Sequence, residues 1–164
     1  VPGGDAPRRA VSLMAGGFGS DINEGATFGI AAARLDQRFS RVLVGEVGLS
    51  YARGQVELAD HTQGTPTFAM ATTSLATATV GVQAQLPLAF AQPYVGLASG
   101  LYLRMDPAGG HRFLYTTTEF PVGVRVPLTR RLGGRAEVRL RYDEQQGNGP
   151  ALGAEATAGV SLRI

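Results

Sequence analysis

The sequence predicts an all-β fold: eight antiparallel strands in an up-and-down meander that closes as a transmembrane β-barrel. Three observations predict it. Apolar and polar residues alternate with a period of two in about eight segments, and no segment shows the repeat of an amphipathic helix. The connections between these segments alternate between short and long. The polar face of the alternation is sparse in charge and rich in Gly, Ser and Thr.

Residues 1–9 are rich in Pro, Gly and Arg and read as a tail, leaving residues 10–164 as a single barrel domain. Strands are expected at 10–19 and 27–36, where the alternation fits either register. At 41–52, Leu43, Val47, Leu49 and Tyr51 oppose Glu46, Gly48 and Ser50. At 73–86, Ala76, Ala78, Val80 and Val82 oppose Thr77, Thr79, Gln83 and Gln85. At 93–104, Val95, Leu97, Leu101 and Leu103 oppose Tyr94, Gly96, Gly100, Tyr102 and Arg104. At 113–127, Phe120, Val122, Val124 and Val126 oppose Thr117, Glu119, Gly123 and Arg125. The clearest segment is 134–143, where Arg135, Glu137, Arg139 and Arg141 alternate with Ala136, Val138, Leu140 and Tyr142. At 152–164, Ala154, Ala156, Ala158, Val160, Leu162 and Ile164 oppose Glu155, Thr157, Ser161 and Arg163.

The connections at 37–40, 87–92 and 128–133 are short. Those at 20–26, 53–72, 105–112 and 144–151 are longer on the whole and richer in Gly, Asn, Asp or Gln. In an up-and-down meander, alternate turns lie at opposite ends. One end therefore carries tight turns and the other longer loops, the asymmetry of membrane barrels.

Alternation alone leaves two arrangements open. The polar set could be the wet outside of a soluble barrel with an apolar interior, or the lumen of a barrel bathed in lipid. Two details favour the lumen. Gly, Thr and Ser between the charges suit a crowded interior. Both signs of charge also fall on neighbouring strands, as a buried network requires. The expected lumen network is Glu46, Arg104, Glu119, Arg125, Arg135, Glu137, Arg139, Arg141, Glu155 and Arg163.

Composition agrees. Charged residues make up 17% of the chain, against about 25% in ordinary soluble domains. No apolar run reaches the roughly 18 residues of a membrane-spanning helix, although barrel strands need no such run. With no cysteine there is neither a disulfide framework nor a thiolate metal site. A net charge of +2 gives no argument for nucleic acid.

Gln92-Pro93-Tyr94-Val95-Gly96-Leu97-Ala98-Ser99-Gly100-Leu101 and Val42–Tyr51, with Gly45, Glu46 and Gly48, carry a family resemblance. The first resembles the segment opening the fifth strand, and the second the upward strands, of the small eight-stranded outer-membrane barrels of the OmpA/OmpX type. The strand plan extends this resemblance over nearly all of the chain. It implies a bacterial outer-membrane location, contact with outer-membrane lipid and no cofactor. The chain departs from the pattern by ending at Ile164 rather than an aromatic residue, and by lacking tryptophan. Phe39, Phe90, Tyr51, Tyr94, Tyr102, Phe113 and Tyr142 are the candidates for aromatic girdles.

Few residues offer chemistry. His61 and His111 fall in two of the long connections, and nothing near them fixes a base, an acid and a nucleophile together. Two isolated histidines give no metal-ligand spacing. Gly16-Gly17-Phe18-Gly19 and Arg131–Arg135 do not open helices, so they are read as strand or turn rather than phosphate loops. No catalytic, cofactor or metal site is expected. The Glu/Arg set is read as interior filling, because side chains about fill an eight-stranded lumen. The outward Ala76, Ala78, Ala154, Ala156 and Ala158 make a smooth candidate face for contact with another envelope protein. The expected role is a non-enzymatic envelope barrel that anchors, braces, or presents Arg53–Thr72 and Glu144–Ala151 to a surface partner. A soluble barrel holding a small apolar ligand and a lipid-modifying barrel enzyme are the alternatives.

Overall fold

The structure is a computed structural model that describes residues 9–20, 27–60, 67–106, 111–145 and 149–164. Eight strands follow in order: β1 Arg9–Ser20, β2 Thr27–Arg38, β3 Leu43–Asp60, β4 Thr67–Gln85, β5 Gln92–Asp106, β6 His111–Pro127, β7 Leu132–Gln145 and β8 Gly149–Arg163. Each pairs antiparallel with its neighbours, and β1 pairs with β8 from Ala10↔Arg163 to Ser20↔Gly153, closing the barrel. A closed ladder leaves no strand edge unpaired, which is what a sheet needs in order to sit in hydrocarbon.

The short connections gather at one end together with the first residue of β1 and the last of β8. At the other end the strands run further than the sequence suggested. β3 and β4 pair from Leu43↔Ala84 up to Asp60↔Thr67, so most of 53–72 is ladder rather than loop. β7 and β8 likewise pair up to Gln145↔Gly149, which takes most of 144–151 into the sheet. A spanning strand needs about 9–11 residues. The 18 and 19 residues of β3 and β4 therefore carry this hairpin well beyond a bilayer's apolar core.

The orientation of the faces is unambiguous. Outward residues are apolar and open on every strand, for example Leu13 (62% exposed), Leu49, Val80, Leu101, Phe120, Leu140 and Val160. Inward residues include Arg139 (0% exposed), Glu155, Glu119 and Arg141. The soluble alternative, with a greasy interior and charges outside, is overturned. A continuous apolar wall is far more than a water-soluble monomer exposes. The registers left open in β1 and β2 are now fixed. Ser12, Met14 and Phe18 of β1 and Phe28, Ile30, Ala32, Arg34 and Asp36 of β2 point inward.

Glycine makes two features of the barrel possible. At Gly16 an added Cβ would lie 1.9 Å from the Ala156 carbonyl oxygen, so the β1–β8 seam needs a residue without a side chain there. At Gly123 it would lie 2.5 Å from the Tyr94 hydroxyl, so this glycine makes room for the tyrosine ring inside the lumen.

Candidate functional site

The lumen is the site, and two chemistries fill it. The half nearer the short turns is ionic. Arg139 of β7 uses all three guanidinium nitrogens on three carboxylates. Nη1 donates to Glu119 of β6 at 2.7 Å, Nε to Glu137 of β7, and Nη2 to Glu46 of β3 on the far wall. Two positions below it, Arg135 donates through Nε to the Tyr94 hydroxyl at 2.9 Å and through Nη1 to Asp36 at 3.2 Å. Its Nη2 donates to Glu46 and to Glu137, the latter at 2.7 Å. Tyr94 donates its own proton to Glu137 at 2.5 Å. Its ring also lies under the Arg125 guanidinium, 4.0 Å from the centroid. Arg125 pairs with Asp36 at 3.1 Å and donates to Gln83, which in turn donates to Glu46 at 2.6 Å. Arg34 reaches Glu155 of β8 at 2.9 Å and the Leu49 carbonyl at 2.9 Å.

These bonds cross the barrel axis and link strands distant in sequence. Burying this many charges is tolerable only because nearly every one faces an opposite charge with good geometry. A few polar atoms stay unsatisfied: Arg34 Nε, Arg141 Nε, Glu155 Oε2 and the hydroxyls of Thr117 and Thr157. Each belongs to a buried residue on the lumen face of its strand.

The half nearer the long hairpins is apolar. Phe18, Phe28, Ile30, Ala52, Leu75 and Tyr102 form one buried cluster, with Ala71 and Tyr115 packed against it. Phe18 and Phe28 meet at 5.7 Å between centroids, and Tyr102, Tyr115 and Phe113 stack in series at 5.9 and 6.2 Å. Arg141 joins the halves. Its guanidinium lies over Phe18 at 4.8 Å and Tyr102 at 5.1 Å, and also donates to Asp143 at 3.3 Å.

Eight of the ten expected network residues meet here: Glu46, Glu119, Arg125, Arg135, Glu137, Arg139, Arg141 and Glu155. Two lie elsewhere. Arg163 faces the mouth at the short-turn end and makes no ion pair among the described residues. Arg104 is half-buried toward the opposite rim, paired in register with Phe113. Arg34, Asp36, Tyr94, Gln83 and Asp143 were missing from the expected set. The charged pair Arg34 and Asp36, flanking Leu35, would have identified the inward face of β2.

The aromatic assignments divide. Phe39, Phe90, Tyr51 and Tyr142 are exposed outside. Tyr94 and Tyr102 are buried in the lumen and serve no girdle, and Phe113 stacks on Tyr115. The five alanines do not make one face. Ala76 and Ala78 lie on β4, where Ala31 and Ala33 extend their patch. Ala154, Ala156 and Ala158 lie on β8, on the opposite wall, beside Ala15 and Ala136. His61 lies outside the described residues, and His111 is the first residue of β6. No group of three or more His, Asp or Glu side chains that could hold a metal occurs among the described residues.

No protein-family model matches the chain, and no curated protein matches it. Among solved structures, the Neisserial surface protein A is similar over 95% of this chain and 96% of its own, with a TM-score of 0.68 and 14% identity. The N-terminal barrel domain of Pseudomonas aeruginosa OprF covers 93% of this chain and 96% of its own at 16% identity, with a TM-score of 0.49. The attachment invasion locus protein Ail of Yersinia pestis, solved with a heparin analogue, covers 93% and 95% at 10% identity, also with a TM-score of 0.49. The closed eight-stranded antiparallel fold is thus shared with the Neisserial protein.

Proposed function

We propose that this chain is a non-enzymatic barrel of the bacterial outer membrane. It anchors in the bilayer, braces the envelope and holds the β3–β4 hairpin out toward a surface partner. The observation that carries this reading is a lumen closed twice, by crossing ion pairs and by stacked aromatics, inside a wall that is apolar all round. A closed lumen supports anchoring and presentation rather than conduction. The extended hairpin supplies a projecting edge-to-edge ladder. A surface location would agree with the name of the Neisserial surface protein A.

Cell fractionation, protease treatment of intact cells and single-channel recording test it. The chain is expected in the outer-membrane fraction, cut within residues 53–72 from outside, with no stepwise conductance in planar bilayers. Recovery in a soluble fraction, or regular conductance steps, would overturn the reading. His61→Ala and His111→Ala are expected to leave the lipid composition of the envelope unchanged. An altered composition would favour the enzyme alternative.

A further inference from the structure

Two of the short turns share one plan. Phe39-Ser40-Arg41-Val42-Leu43 and Leu128-Thr129-Arg130-Arg131-Leu132 each run apolar, hydroxyl, arginine, variable, leucine. In the first, the Ser40 hydroxyl accepts from the Val42 and Leu43 amides at 3.2 and 3.0 Å. In the second, the Thr129 hydroxyl accepts from the Arg131 and Leu132 amides at 3.3 and 2.9 Å. Both turns also close by backbone bonds to the leucine carbonyl. Fixed in this way, the turns hold Arg41, Arg130 and Arg131 outward in exposed positions. Their leading residues, Phe39 and Leu128, are exposed as well, and the third turn adds Phe90 at 76% exposure.

Behind these tips, Arg9, Arg38 and Arg163 line a cavity of about 40 Å³ at the mouth of the lumen, with Arg125 at its floor. The acid that also lines it, Asp36, is already held by Arg125 and Arg135. No other Asp or Glu lies on this rim among the described residues. Toward the opposite end, Arg53, Arg104 and Arg112 stand with Glu144 and, deeper in the lumen, Asp143. Among the described residues, the short-turn rim thus carries guanidinium charge with no free acid beside it, interleaved with exposed Phe and Leu, where the apolar wall stops.

A partner for that rim must offer anions directly beside hydrocarbon. A leaflet of anionic phospholipid does so. Guanidinium groups match phosphate oxygens bidentately, and acyl chains would cover the exposed Phe and Leu tips beside them. We propose that the short-turn rim is a docking collar for the phosphate groups of anionic phospholipids. It orients the barrel with this end toward the leaflet that contains them. The proposal rests on the membrane reading above.

Spin-labelled phosphatidylglycerol and phosphatidylcholine, compared in vesicles holding the reconstituted barrel, test it. Each near-surface arginine favours anionic lipid about fivefold at most, so the wild type is expected to select phosphatidylglycerol several-fold. The selection is expected to fall toward unity in about 1 M salt, where the screening length is about 3 Å. It is also expected to fall in the variant carrying Arg38→Gln, Arg41→Gln, Arg130→Gln and Arg131→Gln, and to persist in Arg53→Gln/Arg112→Gln. If the fourfold variant does not reconstitute, the exposed pair Arg130→Gln/Arg131→Gln replaces it, with a partial loss expected. Insertion without selection, selection that survives salt, or loss only in the opposite-rim variant would overturn the collar alone. Failure of the wild type to insert would overturn the membrane reading and the collar together.

Discussion

The half of the lumen nearer the short turns and the half nearer the long hairpins are both filled by buried side chains, yet by opposite means. Around Arg135 and Arg139 the closure depends on direction and charge: each guanidinium has several partners, and each carboxylate is shared. Around Phe18 and Tyr102 it depends on volume, through a buried cluster of aromatic and aliphatic side chains drawn from β1 to β5. An ionic plug gives one exact arrangement and fails badly if a partner is lost, because the remaining charge cannot reach water. An aromatic plug tolerates small changes of shape and fails in proportion to the space left empty. Placed in series, the two halves are expected to close the lumen against both polar and apolar solutes.

The largest effect is expected from breaking the ionic half. Arg139→Ala leaves Glu46, Glu119 and Glu137 without their shared counter-charge and is expected to cost about 3–5 kcal/mol. Urea unfolding in vesicles, read by the heat-dependent gel shift, measures it. Adding Glu137→Gln to the same chain is expected to restore part of the loss, which a purely steric role for Arg139 would not allow.

The aromatic half is expected to fail more gently. Phe18→Ala removes a fully buried ring and is expected to cost about 3 kcal/mol, the lower end of the range for such deletions, because Arg141 can settle into the space. The same unfolding assay checks it. The comparison sharpens in conductance. Neither Arg139→Ala nor Phe18→Ala alone is expected to open a path, since the other half remains. The combination with Tyr102→Ala is expected to show measurable leak in planar bilayers. Leak from Arg139→Ala alone would mean that the aromatic half is not a barrier.

Smaller effects are expected at the edges of the ionic half. Tyr94→Phe removes the hydroxyl between Arg135 and Glu137 but keeps the ring under Arg125, and is expected to cost about 1–2 kcal/mol. Ser40→Ala, which frees two exposed turn amides to water, is expected to cost at most about 1 kcal/mol.

The same division explains what could be read from the sequence. In β7, β8 and the lower parts of β3 to β6, the lumen is polar and the outside apolar, so period-two alternation gave the register directly. Arg139, Glu137 and Glu155 were legible for that reason. In β1 the inward Met14 and Phe18 sit between outward Leu13, Ala15 and Gly17, so both faces are apolar and the alternation vanishes. The aromatic half was illegible because it violates the rule that reveals the ionic half. Beyond the bilayer the signal fails differently. The stretch 53–72 mixes Thr, Gln, Gly, Asp and His with scattered apolar residues and keeps no sustained alternation, so it reads as loop although it is paired up to Asp60↔Thr67. Clustering in the lumen of residues from five strands, as at Glu46, Asp36, Tyr94, Glu119 and Arg139, needs the closed register, and no local pattern encodes it.

Everything depends on which face of the sheet meets lipid, and β8 allows a direct measurement. The chain has no cysteine, so single cysteines can be placed and spin-labelled in an otherwise unreactive barrel. Labels at 154, 156, 158, 160 and 162 are expected to collide freely with oxygen dissolved in the bilayer, while those at 157 and 161 are shielded from it. An inverted pattern, or equal accessibility along the strand, would contradict the inside-polar, outside-apolar barrel.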